Sequence, residues 1–387
     1  MLMRIALLTT DSREHFREYN NPNPYFGTAP AALLEGFAQL PMLEVHVISC
    51  TKKPMSSPKK LANNIWFHSL HVPNIGWLRT LYAGCIFPVL RKLHEIQPDI
   101  VHAQGTERDC AISAAFTSFP KVLTIHGNIR AIAKVAGAPF FSFLWFQAKL
   151  ESLVLPAFAG VFCNSAHTQS LVYTLARKTW LVPNPLRLSF FSPPPASRSY
   201  IKPVRFIVVG SITPNKRPLE LLRMLKSLYK SGASFHVVFV GSPGRNTYGK
   251  IFLDEVGRAK QDGWLDFQES LPETDLIKLM DSSHALLHFP IEEAFGLVVA
   301  EALARGLKLF AAKVGGIVDI AKEVQDAELF DADDWPGLEY SLQAWINNPT
   351  PPSSVSRDLM KSRYHPKAIA GMHLDIYREI LSENRPP

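Results

Sequence analysis

Four cysteines in 387 residues, at Cys50, Cys85, Cys110 and Cys163 with no C-x-x-C pair, argue against a disulfide framework, a thiolate zinc site and a redox motif together. A reducing compartment is the natural reading. Charged residues are also sparse, at 19% against a usual value of about 25%, while apolar residues reach 47%, so a packed core is expected and wholesale disorder is excluded. Long apolar runs are missing. The run at 5–9 is broken by Asp11, Arg13 and Glu14 and lacks the extent of a secretory signal. Residues 152–176 carry no charge, but Pro156, Asn164, His167 and Gln169 interrupt them, so no membrane crossing is expected and the cytoplasm is the expected location. The dinucleotide fingerprint G-x-G-x-x-G follows neither expected first strand, which argues against a nicotinamide or flavin enzyme.

What is present is unevenly placed. Residues 1–200 hold 19 Lys+Arg against 10 Asp+Glu, a net of +9, and the rest hold 22 against 24, a net of −2. A one-sided basic half points to a phosphate-bearing partner or an anionic surface.

Short apolar, β-rich runs alternate with helical patterns along the chain, as expected of βαβ units and parallel sheets. Strands are expected at 4–9, 44–49, 100–103, 122–126, 160–163 and 180–182, and again at 204–209, 235–240, 265–268, 285–289 and 308–310. Between the two sets lies Ser192-Pro193-Pro194-Pro195, which supports neither helix nor central strand. The expected organisation is therefore a Rossmann-like domain at 1–185, a linker at 186–203, a second Rossmann-like domain at 204–365, and a C-terminal helix at 366–387 that crosses back to the first domain. Two such domains facing each other would form a cleft at the carboxyl ends of their strands.

Several motifs have ordinary readings. Gly244 to Lys250 fits G-x-x-x-x-G-K, but Ile251 stands where a phosphate-binding loop needs a hydroxyl, so a glycine-rich strand-to-helix turn is preferred. Asp331-Ala332-Asp333 has the form of a metal-chelating D-x-D, yet Asp333 precedes a helical pattern and reads better as an N-cap. His102, His126, His284 and His288 never take ligand spacing, so no metal site is expected, and His284 and His288 read as structural.

The informative stretch is 289–320. A strand ends at Phe289-Pro290, carboxylates and Phe295-Gly296 follow, and a helical pattern from Leu297 closes at Gly306. Free amides at such a helix start attract phosphate. Glu293 is placed to accept hydrogen bonds from sugar hydroxyls and Glu301 to reach a ribose, with a solvated face as the alternative for each.

This string closely resembles the group-1 family of retaining, nucleotide-sugar-dependent glycosyltransferases with the GT-B fold. Their E-x7-E motif is matched by Glu293 and Glu301, with Gly315-Gly316 following. Further likeness lies at Pro98 to His102, at Thr124-Ile125-His126-Gly127, at Val182-Pro183-Asn184 and at Val208-Val209-Gly210. The family places Arg after that Gly and Lys five residues later, both on the donor pyrophosphate; here the positions hold Ser211 and Lys216, with Arg217 the nearest substitute cation. Asn184-Pro185 replaces the family's Asn-Gly, and its glycine-rich loop after strand one is reduced to Gly27.

The resemblance implies a fold class of two Rossmann-like parallel-sheet α/β domains in GT-B architecture. It implies transfer of a sugar from a nucleoside diphosphate sugar to an acceptor hydroxyl with retention, in polysaccharide or glycolipid synthesis, without metal or other cofactor and without nucleic acid. Lys216 and the amides of Phe295, Gly296, Leu297 and Val298 would take charge on the departing pyrophosphate, and His126 would lie near the transferred sugar. Two other classes stay open: a GT-B sugar-nucleotide epimerase, for which no acid/base set is visible, and a non-catalytic binding subunit, suggested by Ser211.

A final stretch, 135–145, contains Phe140, Phe141, Phe143, Leu144 and Trp145 and is followed by Phe146 and Lys149. One reading lays this surface in a membrane interface beside a lipid-linked acceptor, as a peripheral contact of the basic half. The preferred reading buries it against the first sheet, because exposed patches of this size are uncommon.

Overall fold

The computed structural model describes residues 2–193 and 203–383; Pro194 and Pro195 of the expected linker lie outside them. Two compact units form, Met1–Leu188 with Tyr364–Pro387, and Ser189–Arg363.

The first unit carries an eight-stranded sheet: β1 (Met3–Leu8), β2 (Leu43–Thr51), β3 (Lys60–Ala62), β4 (Ile65–His71), β5 (Ile100–Gln104), β6 (Lys121–Ile125), β7 (Gly160–Cys163) and β8 (Thr179–Leu181), in the order β3-β4-β2-β1-β5-β6-β7-β8. All neighbours are parallel except β3 and β4. Strands buried on both faces read as continuous apolar runs, which is why β1, β5 and β7 are legible in sequence. Alternate residues of β1 enter different cores, Ala6 and Leu8 on one face, Ile5 and Leu7 on the other. The edge strand β3 and its neighbour β4 were not expected, because β3 has only three residues and His68 and Ser69 break the apolar pattern of β4.

The second unit holds β9 (Val204–Val209), β10 (Phe235–Val240), β11 (Leu265–Gln268), β12 (Ala285–His288), β13 (Lys308–Ala312) and β14 (Ala327–Phe330), in the order β11-β10-β9-β12-β13-β14 and all parallel. The half-buried β14 was also unexpected. This order reverses between β9 and β12, the switch point where open parallel sheets bind ligands. In the first sheet the reversal lies at β1 and β5.

The helix Pro366–Glu383 packs in the first unit. Its Ile369, Ala370, Leu374, Tyr377 and Ile380 share one core with Ile5 and Leu7 of β1 and with Leu33 and Phe37 of the helix Thr28–Phe37. The two helices approach closely at Gly36, where a Cβ would stand 2.2 Å from the Pro366 carbonyl oxygen.

Two ordinary readings hold with changed detail. The segment at 244–250 is a turn into the helix Thr247–Gln261, capped by the Asn246 side chain on the Gly249 amide at 2.9 Å. The helix Trp335–Asn347 is capped by Asp334 rather than Asp333, because Asp334 accepts from the Gly337 amide at 2.9 Å while Asp333 faces Arg217 at 2.7 Å.

Candidate active site

At the switch point of the second sheet, the loop after β9 carries Ser211, Asn215 and Lys216, and the loop after β12 carries Glu292, Glu293 and Phe295. The two loops are tied together. Asn215 donates from Nδ2 to the Glu292 carbonyl at 3.0 Å, and its own carbonyl accepts from the Ile291 amide at 2.8 Å. Lys216 Nζ donates to Glu293 Oε2 at 2.5 Å, and His288 Nε2 lies 3.0 Å from the same oxygen. Burial alone would raise the Glu293 carboxyl, but the His288 hydrogen bond and the Lys216 charge outweigh it and hold the group at about 2. Glu293 is thus an anion at any working pH, held between two donors.

His288, expected to be structural, is therefore part of the site. As the last residue of β12 it is buried, and only the turn of the following loop brings Glu293 back onto it. Asn215 was missed as well; its signal is an Asn between two expected strand-end motifs.

The loop bearing Glu293 needs two glycines. Gly296 caps the helix Leu297–Ala304 in the left-handed region at φ 98°, and Gly315 sits at φ 50°, where a Cβ would fall 1.8 Å from the Glu293 carbonyl oxygen. The next amide, of Gly316, donates to that same carbonyl at 3.0 Å. The Gly315-Gly316 pair therefore serves as the floor of the Glu293 loop. The amides of Leu297 and Val298 lie in the first helical turn, where no intrahelical acceptor exists. Glu301 is only 6% exposed, which removes the solvated-face reading for it.

Arg217, expected to replace the family arginine, turns elsewhere. It is left-handed at φ 52°, ahead of the helix Pro218–Lys230, and its guanidinium bonds the Ala332 carbonyl and Asp333 and lies over the Trp335 ring. Ser211 is exposed beside Gly210, so Lys216 is the expected site cation that the structure places on Glu293.

With this geometry in view, the likeness to known proteins becomes specific. Residues 194–361 match the family model of group 1 glycosyl transferases, and residues 31–190 match that of glycosyltransferase family 4. The chain belongs to the group-1 glycosyltransferases. Among curated proteins none matches the sequence significantly. Among solved structures, the glycosyltransferase resembles the sucrose-phosphate synthase of Thermosynechococcus elongatus with a TM-score of 0.78, at 16% identity over 99% of this chain and 100% of that one. It resembles the Anabaena protein HepE in complex with UDP and glucose with a TM-score of 0.71, at 16% identity over 97% and 100%. It also resembles the lipopolysaccharide outer core galactosyltransferase WaaB with a TM-score of 0.68, at 14% identity over 97% and 100%. Such identities speak to the fold alone, which is GT-B with two parallel-sheet α/β domains.

In the first domain of the glycosyltransferase, His126 follows β6 in a polar chain. His126 Nε2 lies 2.8 Å from Gln104 Oε1, Gln104 Nε2 lies 3.1 Å from His102 Nε2, and His102 Nδ1 lies 2.5 Å from the Tyr377 hydroxyl. The Gln104 amide donates to His102, so its oxygen accepts from His126, which must then carry its proton on Nε2. Nδ1 of His126 keeps its lone pair and has no hydrogen-bond partner. Burial lowers the His126 ring to about 4, so it is neutral at pH 7. Gly27 sits apart from this chain, as the exposed N-cap of the helix Thr28–Phe37.

This histidine has a consequence for stability. An ordinary ring titrates near 6.5 when unfolded, whereas the folded ring titrates near 4, so between those values the unfolded chain binds more protons and stability falls as pH falls. The expected contribution is a loss of about 1–2 kcal/mol at pH 5 relative to pH 7.5. His126→Gln should remove it, so urea unfolding of wild type and variant should diverge between those two pH values by that amount.

The aromatic stretch departs from the preferred reading. In the helix Phe143–Val154 the buried positions are Gln147, Glu151 and Val154, one face at helical spacing, and two of them are polar. Gln147 bonds the Tyr82 hydroxyl at 2.6 Å, and Glu151 accepts from Thr106 at 2.6 Å and from the Ile129 amide at 3.1 Å. Hydrogen bonds thus seat this helix, which leaves Phe140 80% and Phe141 75% exposed, with Phe143 and Phe146 exposed beside them. Among the described residues no helix is long and apolar enough to cross a membrane.

Proposed function

We propose that the protein transfers a sugar from a nucleoside diphosphate sugar to a hydroxyl of a carbohydrate or lipid-linked acceptor with retention, in polysaccharide or glycolipid synthesis at the inner face of a membrane. The observation that carries this is Lys216, Glu293 and His288 assembled at the β9–β12 switch point beside the start of the helix Leu297–Ala304. On this reading Glu293 accepts from sugar hydroxyls while Lys216 and the first-turn amides meet the diphosphate, and Glu301 serves the ribose. The work is positioning and stabilisation of charge on the leaving group. His126, held neutral by burial, lies near the transferred sugar on this reading.

No metal is assigned to the reaction. Asp333 is engaged by Arg217 and Asp334 caps a helix, so the acidic run at 331–334 has other work. UDP is the nucleotide to test first, since HepE was solved with UDP and glucose.

A melting-temperature panel of UDP, GDP, ADP and their sugars, with magnesium or with EDTA, tests the reading, because a ligand of the folded state raises the melting temperature by mass action. One nucleotide should shift it equally in both conditions. Lys216→Ala should weaken that nucleotide about 10–100-fold, the worth of one charge-assisted contact, measured by calorimetry. No shift with any nucleotide would favour a non-catalytic subunit instead.

A further inference from the structure

The first unit contains a cavity of about 720 Å³ that no motif announced. It opens at the carboxyl ends of the three central strands of that sheet: Glu14 and Arg17 follow β1, Lys52 and Lys53 follow β2, and Glu107 and Arg108 follow β5. Its position is therefore the switch point of the first sheet, the counterpart of the β9–β12 site.

Cations dominate the lining. Glu14 is taken by Lys52, accepting from its amide at 2.9 Å with the ammonium 3.7 Å away. Arg17, Lys53 and Arg108 make no ion pair among the described residues. Two of them stand over aromatic rings, Lys53 over Tyr19 at 4.9 Å and Arg108 over Trp77 at 4.8 Å, which holds their charge at the wall. Burial pushes Glu107 up to about 7, so it is about half ionised at neutral pH and offsets only part of this charge.

One wall is different. Phe143 lines the cavity and also begins the helix whose outer surface, with Phe140, Phe141 and Phe146, is exposed. A cationic pocket continuous with an uncovered aromatic ridge matches one ligand chemistry, a phosphate attached to a hydrocarbon chain. The phosphate enters among Arg17, Lys53 and Arg108, and the chain lies along the ridge.

We infer that this cavity is the binding site for an amphiphilic phosphate, and that the acceptor of the transferase is a molecule of this class. The second clause rests on the proposed function; the first does not.

The test is calorimetric titration of the full chain, without nucleotide, using dodecyl phosphate below its micelle concentration. Inorganic phosphate supplies the anion alone and dodecyl maltoside the chain alone. Dodecyl phosphate should bind at least tenfold tighter than either. Lys53→Ala, at an exposed position that does not threaten folding, and Arg108→Ala should each weaken it about tenfold. Phe140→Ser with Phe141→Ser should weaken dodecyl phosphate and leave inorganic phosphate unchanged. Lys216→Ala should leave dodecyl phosphate binding intact, which separates this pocket from the nucleotide site. Equal affinity for dodecyl phosphate and dodecyl maltoside, or unchanged affinity in both cation variants, would overturn the inference whether or not UDP binds. Binding confined to phosphatidylglycerol vesicles, with none to the soluble monomer, would also overturn it and leave the ridge as a bilayer contact. Normal dodecyl phosphate binding without any nucleotide shift would sustain the pocket while removing the donor reading.

Discussion

Glu293→Gln is expected to reduce kcat/KM for sugar transfer by about 10²–10³-fold, the scale seen when one preorganised polar contact to a reacting group is removed. The variant keeps the side-chain volume and deletes only the charge. Stability should fall too, which the sequence alone did not suggest, since there the residue read as a polar contact to sugar hydroxyls rather than part of the packing. In the structure it is the shared partner of Lys216 and His288. Its folded value of about 2 lies below the ordinary carboxyl value of 4.5, so its stabilisation is complete above 4.5 and is lost as pH falls through 2. At pH 7 that amounts to about 2–3 kcal/mol, and the melting temperature of the variant should drop by several degrees. The two readouts separate two roles. An unchanged melting temperature with lost activity would mean that the ion pair is not formed in solution, and normal turnover would remove Glu293 from the donor site.

Removing the helix Pro366–Glu383 is expected to have the largest effect on folding. Its Ile369, Leu374, Tyr377 and Ile380 are buried in the first unit's core. At about 1.5–3 kcal/mol for each of these four large side chains, their loss removes about 6–12 kcal/mol, comparable to the whole net stability of a domain. The deletion also takes away the Tyr377 hydroxyl from His102, and with it the far end of the chain that sets the His126 tautomer. A chain ending at 365 should therefore lose near-ultraviolet circular dichroism from the first unit. The second unit, whose separate core includes Phe206, Phe239, Leu287 and Phe310, should keep its cooperative transition. A soluble truncated chain with the wild-type melting profile would contradict this account.

Much of the architecture was legible because parallel strands buried on both faces leave apolar runs that need no knowledge of their neighbours. The runs at 204–209 and 235–240 coincide with β9 and β10 residue for residue. The mark is weaker in β4, next to the edge of the first sheet and half-buried over much of its length, and in β14, at the edge of the second and half-buried throughout, and neither was expected. In the site, Glu293, Glu301 and Lys216 were picked out by the motifs that carry the family resemblance, because the spacing of two glutamates alone recurs by chance on exposed helices.

The sequence by itself determined that the chain builds two α/β halves, that the basic charge lies in the first, and that Glu293 and Lys216 follow strand ends of the second. Only the tertiary structure decided that His288 and Lys216 meet on one oxygen of Glu293 and that Arg217 turns to Asp333. It alone decided that polar Gln147 and Glu151, not the aromatic residues, seat the helix Phe143–Val154, and that three strand ends enclose a cationic cavity. The reason is physical. An apolar or charged side chain states in sequence what it needs, a dry neighbour or a counter-charge, but residues far apart along the chain compete to supply it, and packing chooses among them.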